Sequence, residues 1–171
     1  VDTVVLDNVR GAYEVVNHLI GFGHERIGVI IGSQTMTTGR ERYEGYLSAL
    51  TEHGIQPEPA LIRFGPPTSK TGYEMANALL SLDPPPTAIF TGNNLITIGA
   101  LHAIQERNMT IPDDISLVAF DDPEWASIIQ PRLTVVAQPT YELGQIAATL
   151  VLKRIKDAGD PCETVVLPPE V

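Results

Sequence analysis

Short, continuous apolar runs alternate with segments of helical apolar period along the whole of this 171-residue sequence, and few folds accommodate that pattern. Thr3–Leu6 reads as a short strand. Asp7 and Asn8 are good N-cap residues for a helix whose Ala12, Val15, Val16, Leu19 and Ile20 share a face, with Gly21 and Gly23 to stop it. Arg26–Ile31 is apolar nearly throughout, the mark of a strand covered on both sides in a parallel sheet. Tyr43, Tyr46, Leu47 and Leu50 then recur at helical spacing, closed by Gly54. The unit repeats with strands at Ala60–Arg63, Thr87–Thr91, Ile115–Phe120, Leu133–Val136 and Glu163–Leu167. Between them run helices carrying Tyr73, Ala76, Leu79 and Leu80, then Ile98, Leu101 and Ile104, then a long one from Tyr141 to Lys156. Strands separated by helices of this length require crossover connections. The expected class is therefore α/β, a doubly wound and mainly parallel sheet flanked by helices in three α/β/α layers. Regularity loosens near Asn8 and again between Asp121 and Thr140, which are the candidate boundaries.

Charge narrows the function. A formal net charge of −10 argues against nucleic-acid contact by this segment, because phosphate binding needs clustered Lys and Arg. The one dense basic cluster, Lys153, Arg154 and Lys156, sits at a helix C-terminus and reads as capping. A single Cys, Cys162, following Asp160 and Pro161 in an expected loop, excludes an internal disulfide and reads as an incidental thiol. No apolar stretch is long enough to span a membrane. The chain opens on Val1 without an initiating Met or a signal peptide, so it reads as an excised fragment of a cytoplasmic protein.

In open α/β sheets ligands bind in the crevice outside the carboxyl ends of the strands. Three strands send polar groups there. After Arg26–Ile31 comes a Ser/Thr-rich loop and then a helix with Arg42; after Thr87–Thr91 come Asn93 and Asn94; after Ile115–Phe120 come Asp121 and Asp122. Arg42 offers a rigid fork of donors, Asn93 a donor and an acceptor, and Asp121 an acceptor. Together they suit adjacent hydroxyls or the edge of a heterocycle. Each also has an ordinary structural explanation, Asn93 as an N-cap and Asp121 as a turn residue, but their convergence on one sheet edge favours binding. Of the acidic pair, one side chain is expected to face the crevice and the other away, by strand alternation. Glu41 and Glu44 read as a solvated helix face. His24 lies before its strand, at the wrong end for the crevice, and is taken as structural. No nucleophile elbow, phosphate loop or metal-spaced His pair is present in the sequence, so neither a catalytic group nor a metal or cofactor enters this reading.

Several stretches, in this order and spacing, resemble the lac repressor family, which includes purine and ribose repressors. They are Asp7-Asn8 with Gly11, the run His18-Leu19-Ile20-Gly21-Phe22-Gly23-His24-Glu25-Arg26-Ile27-Gly28, and Arg42 with Gly45-Tyr46 and Ala49-Leu50. Ala88-Ile89-Phe90 with Asn93, Gly99-Ala100-Leu101, the run from Ile111 to Asp122, and Pro131 to Pro139 with Leu143-Gly144 complete the set. The resemblance implies an effector-binding core of two periplasmic-binding-protein-like lobes with the ligand between them. A separate N-terminal helix-turn-helix, absent here, would read operator DNA as a homodimer. On that reading residues 26–120 form a complete C-terminal lobe. Residues 1–25 and 121–171 are then crossover segments and a remnant of the other lobe.

By position, Thr38, Arg42, Asn93 and Asp121 match the family's effector contacts. Pro67 departs from the family's frequent stacking aromatic, and Asn94 stands where Asp is usual; both leave the ligand class open. Trp125, with Ile128 and Ile129, reads as core or subunit interface. The leading expectation is a non-enzymatic sensor of a small polar effector, a sugar or similar molecule. The competing ones are a periplasmic sugar-binding protein of the same fold and an α/β enzyme using Asp121 as base.

Overall fold

The computed structural model describes residues 1–156 and 161–171; of the loop expected before Cys162, Asp160 lies outside the described residues. Five parallel strands form the main sheet: β2 (Ile27–Ile31), β3 (Ile62–Phe64), β4 (Ala88–Thr91), β5 (Ser116–Phe120) and β6 (Thr134–Val136), in the order β3-β2-β4-β5-β6. Every residue of β2 and β4 is buried, as their unbroken apolar runs require. Two helices, α1 (Asn8–Gly21) and α2 (Thr37–Glu52), cover one face. On the other lie α3 (Ser69–Leu80) and α4 (Asn94–Glu106). The three-layer α/β/α arrangement is the one the periodicity implied.

Helix starts follow local chemistry. Asp7, Thr68 and Asn93 each accept a hydrogen bond from the backbone N–H three residues on, at 3.0, 3.1 and 3.0 Å. Asp7 therefore caps α1, and Asn8 is freed for another use. The strand expected at Ala60–Arg63 is shifted: Pro59–Leu61 forms a 3-10 turn, and β3 begins only at Ile62. Pro59 at the head of that turn presets its φ and lacks the N–H a ladder needs.

A second, two-stranded sheet pairs β1 (Thr3–Leu6) with β7 (Thr164–Leu167) in parallel, and α5 (Thr140–Lys156) packs against β1. Arg154 of α5 forks onto the Asp2 carboxylate at 2.6 and 2.9 Å, while Lys153 pairs with Glu163. Lys153 and Arg154 thus tie α5 to the residues just before β1 and β7, a use beyond the helix capping that the sequence suggested. Between α5 and β1 lies an apolar-lined groove of about 840 Å³.

The packed unit around the main sheet is larger than residues 26–120. Ala12, Val15, Val16 and Leu19 of α1 share a core with Val29, Phe90, Val118 and Phe120, and β6 extends the ladder past β5. The apolar faces of these segments match the sheet's own cover, which the loosened alternation around them had obscured. His24 is structural, as read: its ring nitrogens meet Thr87 Oγ1 at 2.9 Å and Ser116 Oγ at 3.0 Å, joining the entrances of three strands.

Candidate functional site

The strand order reverses between β2 and β4, since β3 lies on one side of that pair and β5 on the other. A crevice opens there at the carboxyl ends of the strands. Arg42 spans it. The residue is 7% exposed, with Nε donating to Asn8 Oδ1 at 2.9 Å and Nη1 to the Gly92 carbonyl at 2.6 Å. The guanidinium carbon stands 3.6 Å from the centre of the Phe120 ring, a cation–π contact out of water. Burial lowers its pKa to about 10, opposed by the charges of Asp121 and Glu41, which leaves the group cationic at neutral pH. Among the described residues Nη2 has no hydrogen-bond partner, and Arg42 lines a cavity of about 180 Å³.

Thr38 and Asn93 line the same cavity, with Ser33, Met36 and Pro67. Thr38 is exposed in the first turn of α2, one turn before Arg42. Asn93 is the N-cap that the sequence allowed, and its side-chain amide borders the cavity. Its Oδ1 caps α4 through the Ile96 N–H at 3.0 Å, while Nδ2 has no partner among the described residues.

Asp121 opens onto a neighbouring cavity of about 370 Å³. One of its oxygens accepts from the Asn94 N–H at 3.0 Å, at the start of α4 where the helix dipole favours an anion. The other accepts from Gln138 Nε2 at 2.5 Å. A carboxylate has further lone pairs to offer a ligand. The residue holds φ = +81°, a conformation that is strained for any residue with a side chain and concentrates at functional sites. That backbone turn ends the strand alternation, so Asp121 and Asp122 line the same cavity and do not face opposite ways. Asp122 also stands 3.9 Å from Arg132.

Three participants were not legible beforehand. Asn8 holds Arg42. Gln138 holds Asp121. Glu41 accepts from Asn8 Nδ2 at 3.0 Å, so it is part of this network and not merely a solvated face. Trp125 is half-buried, and its indole N–H donates to Asn94 Oδ1 at 2.9 Å, tying the turn after β5 to the start of α4. Neither cavity is lined by His, Cys or Lys. What converges here is a buried cation with an open edge, an amide N–H pair, carboxylate oxygens and hydroxyls, a set suited to recognising polar ligand edges.

The family profile described as "Periplasmic binding protein-like domain" matches residues 16–171. The HTH-type transcriptional repressor PurR of Pasteurella multocida is 34% identical over 170 residues, covering 99% of this chain and 51% of that protein. The repressor CytR of Escherichia coli is 36% identical over 154 residues, covering 90% of this chain and 45% of its own length. The chain spans about half the length of the curated relatives it matches.

Among solved structures, the complex of the transcriptional regulator CelR with cellobiose superposes with a TM-score of 0.93 at 32% identity, over 99% of this chain and 52% of that one. A LacI family regulator from Enterococcus faecium with bound ribose gives 0.86 at 31%, over 99% and 62%. These relatives are regulators, not enzymes. The chain belongs to the periplasmic binding protein-like domain family, in the form carried by regulators of the lac repressor type.

Proposed function

We propose that this domain senses a small polar effector, a sugar or sugar-like molecule, for a cytoplasmic transcription regulator that binds operator DNA as a homodimer through a separate helix-turn-helix. The observation that carries the reading is the state of Arg42: a buried cation anchored by Asn8, Gly92 and Phe120, with Nη2 left over beside Asn93 and Thr38. A guanidinium held this way donates in a fixed direction, which suits hydroxyl oxygens on a sugar ring. Asp121 then supplies the acceptor for the ligand's own O–H groups. The relatives solved with cellobiose and with ribose support the ligand class.

On this reading the main sheet with its four helices is one lobe, and β1, β7 and α5 lead to a second. Effector that binds one arrangement of the lobes more tightly shifts the equilibrium toward it, and the spacing of the DNA-binding parts follows.

The test is a calorimetric titration of the full-length gene product with a panel of pentoses, hexoses and disaccharides. Operator affinity is then read by fluorescence anisotropy with and without the sugar that binds. Arg42→Ala and Asp121→Ala are each expected to weaken binding at least about tenfold while circular dichroism stays native. Unchanged affinity in both variants refutes the site. Sugar binding without any change in DNA affinity refutes the regulator.

A further inference from the structure

We infer that Asn8, which lines neither cavity, is the positioning residue that sets the direction of Arg42's open edge and joins it to the junction between β1 and α1. The inference rests on the proposal that Arg42 meets the effector.

Asn8 is 4% exposed, and its amide is fully used. Oδ1 accepts from Arg42 Nε at 2.9 Å; Nδ2 donates to the Leu6 carbonyl at 3.2 Å and to Glu41 Oε2 at 3.0 Å. Only this orientation of the amide satisfies all three partners, and only an amide provides one acceptor and two donors at that reach. Aspartate would set a carboxylate against that of Glu41.

The other two contacts of Arg42 constrain it less. Phe120 sits against the guanidinium without selecting its rotation about that contact, and Gly92 O holds a single nitrogen. Adding the Nε bond fixes the third direction, and with it the line along which Nη2 points. A donor held in this way loses little freedom when ligand arrives.

The fold is built to permit this reach. Gly45, one turn after Arg42 on α2, faces the backbone of α1 next to Asn8. A Cβ there would lie 2.2 Å from the Val9 carbonyl oxygen and 2.8 Å from Ala12 Cβ. The two helices can approach closely enough for Asn8 to meet Arg42 because that Cβ is missing. Leu6 is the last residue of β1, so the same amide holds the backbone of the strand that leaves the main lobe. A purely space-filling Asn has no need of the strand, the arginine and Glu41 together.

The test uses the full-length gene product and two readouts. In ¹⁵N-arginine NMR spectra, the Arg42 Nε–H is expected to be slow to exchange in the wild type and fast in Asn8→Ala. In titrations with D-ribose, cellobiose and the rest of the panel, Asn8→Ala is expected to weaken the sugar that binds at least about tenfold. Asn8→Asp should weaken it as well, and Asn8→Asp with Glu41→Gln should regain at least half of the loss on a logarithmic scale, because the bond re-forms with donor and acceptor exchanged. Ile104→Val, a core change away from the site, controls for lost stability and should leave the affinity alone.

A protected Nε–H in Asn8→Ala, an unchanged affinity, a double variant no better than the single, or an equal loss in Ile104→Val overturns the inference. If Arg42→Ala itself leaves sugar binding intact, the premise that Arg42 meets the effector falls instead; if no sugar binds, the effector reading falls. The NMR exchange rate then still decides whether Asn8 orients Arg42.

Discussion

Gly45→Ala sets two opposite effects against each other, and the geometry decides between them. In an isolated helix the change stabilises by about 1 kcal/mol. Here the new Cβ would lie 2.2 Å from Val9 O, whereas ordinary contact begins near 3.4 Å, so α1 and α2 must part by about 1.2 Å. The same movement lengthens the 2.9 Å bond between Arg42 and Asn8 to about 4 Å, beyond hydrogen-bond reach. Overpacking costs about 1–3 kcal/mol and a lost bond to a charged group about 1.5–3 kcal/mol. The balance is a loss of about 3 kcal/mol, or a melting temperature lowered by roughly 6–12 °C in a protein of this size. Thermal unfolding followed by circular dichroism measures it, with a sugar titration of the folded protein beside it. An unchanged or raised melting temperature would show that helix propensity prevails and that α1 can yield, which refutes the close-approach argument.

Three further outcomes follow from other parts of the structure. Desolvation pulls the His24 pKa below its ordinary 6.5, so the native state takes up a proton less readily than the unfolded chain. Stability should therefore fall as pH drops below about 6.5. His24→Gln should flatten that part of the melting-temperature profile, and a profile identical to wild type contradicts it. The Arg154 guanidinium and the Glu163 N–H hold Asp2 near a pKa of about 2, so this pair's contribution should persist through pH 3.8 and vanish as pH falls toward about 2. Arg154→Ala should move the Asp2 carboxyl resonance back toward a midpoint of 3.8 in a ¹³C NMR titration; a midpoint that stays put rejects the pairing. Tyr46 donates to the Ile27 carbonyl at 2.9 Å inside the core, and Tyr46→Phe leaves that oxygen unpaired. Urea unfolding should show a loss of about 1–3 kcal/mol, and a neutral result argues that the carbonyl finds another donor.

What was legible in the chain was whatever depends on near neighbours in sequence. The runs that became β2, β4 and β5 announced themselves because both faces are buried, and an unbroken apolar run has few other uses. The cap at Asn93 is local and was visible. Arg42, Asn93 and Thr38 could be brought to one cavity because a parallel sheet delivers every strand's exit to the same edge. The parts that stayed hidden are pairings across 17 to 34 residues: Gln138 with Asp121, Trp125 with Asn94, Asn8 with Glu41 and Arg42. Nothing local distinguishes Asn8 from a second candidate cap beside Asp7. Its role appears only once Gly45 brings two helices together. The strand alternation rule failed at Asp121 for an equally specific reason, a left-handed backbone that no pattern of residue types near it required.

The small sheet has a kinetic consequence. Its strands β1 and β7 pair Thr3 with Thr164, and a backbone N–H of Glu163 reaches an Asp2 oxygen 161 positions away in the chain. Closing a loop of that size in an unstructured chain costs about 4.5 kcal/mol of entropy before any contact is made, and four-residue strands return little at the start. The short-range units, α1 on α2 and α3 on α4, carry no such delay. Assembly of the main sheet first shortens the effective loop, because Asp7 N–H meets Leu167 O and Ala137 pairs with Glu170 at its edge. The two-stranded sheet is therefore expected to form after the main sheet and to open before it, so its amides should exchange with solvent ahead of those in β2 and β4.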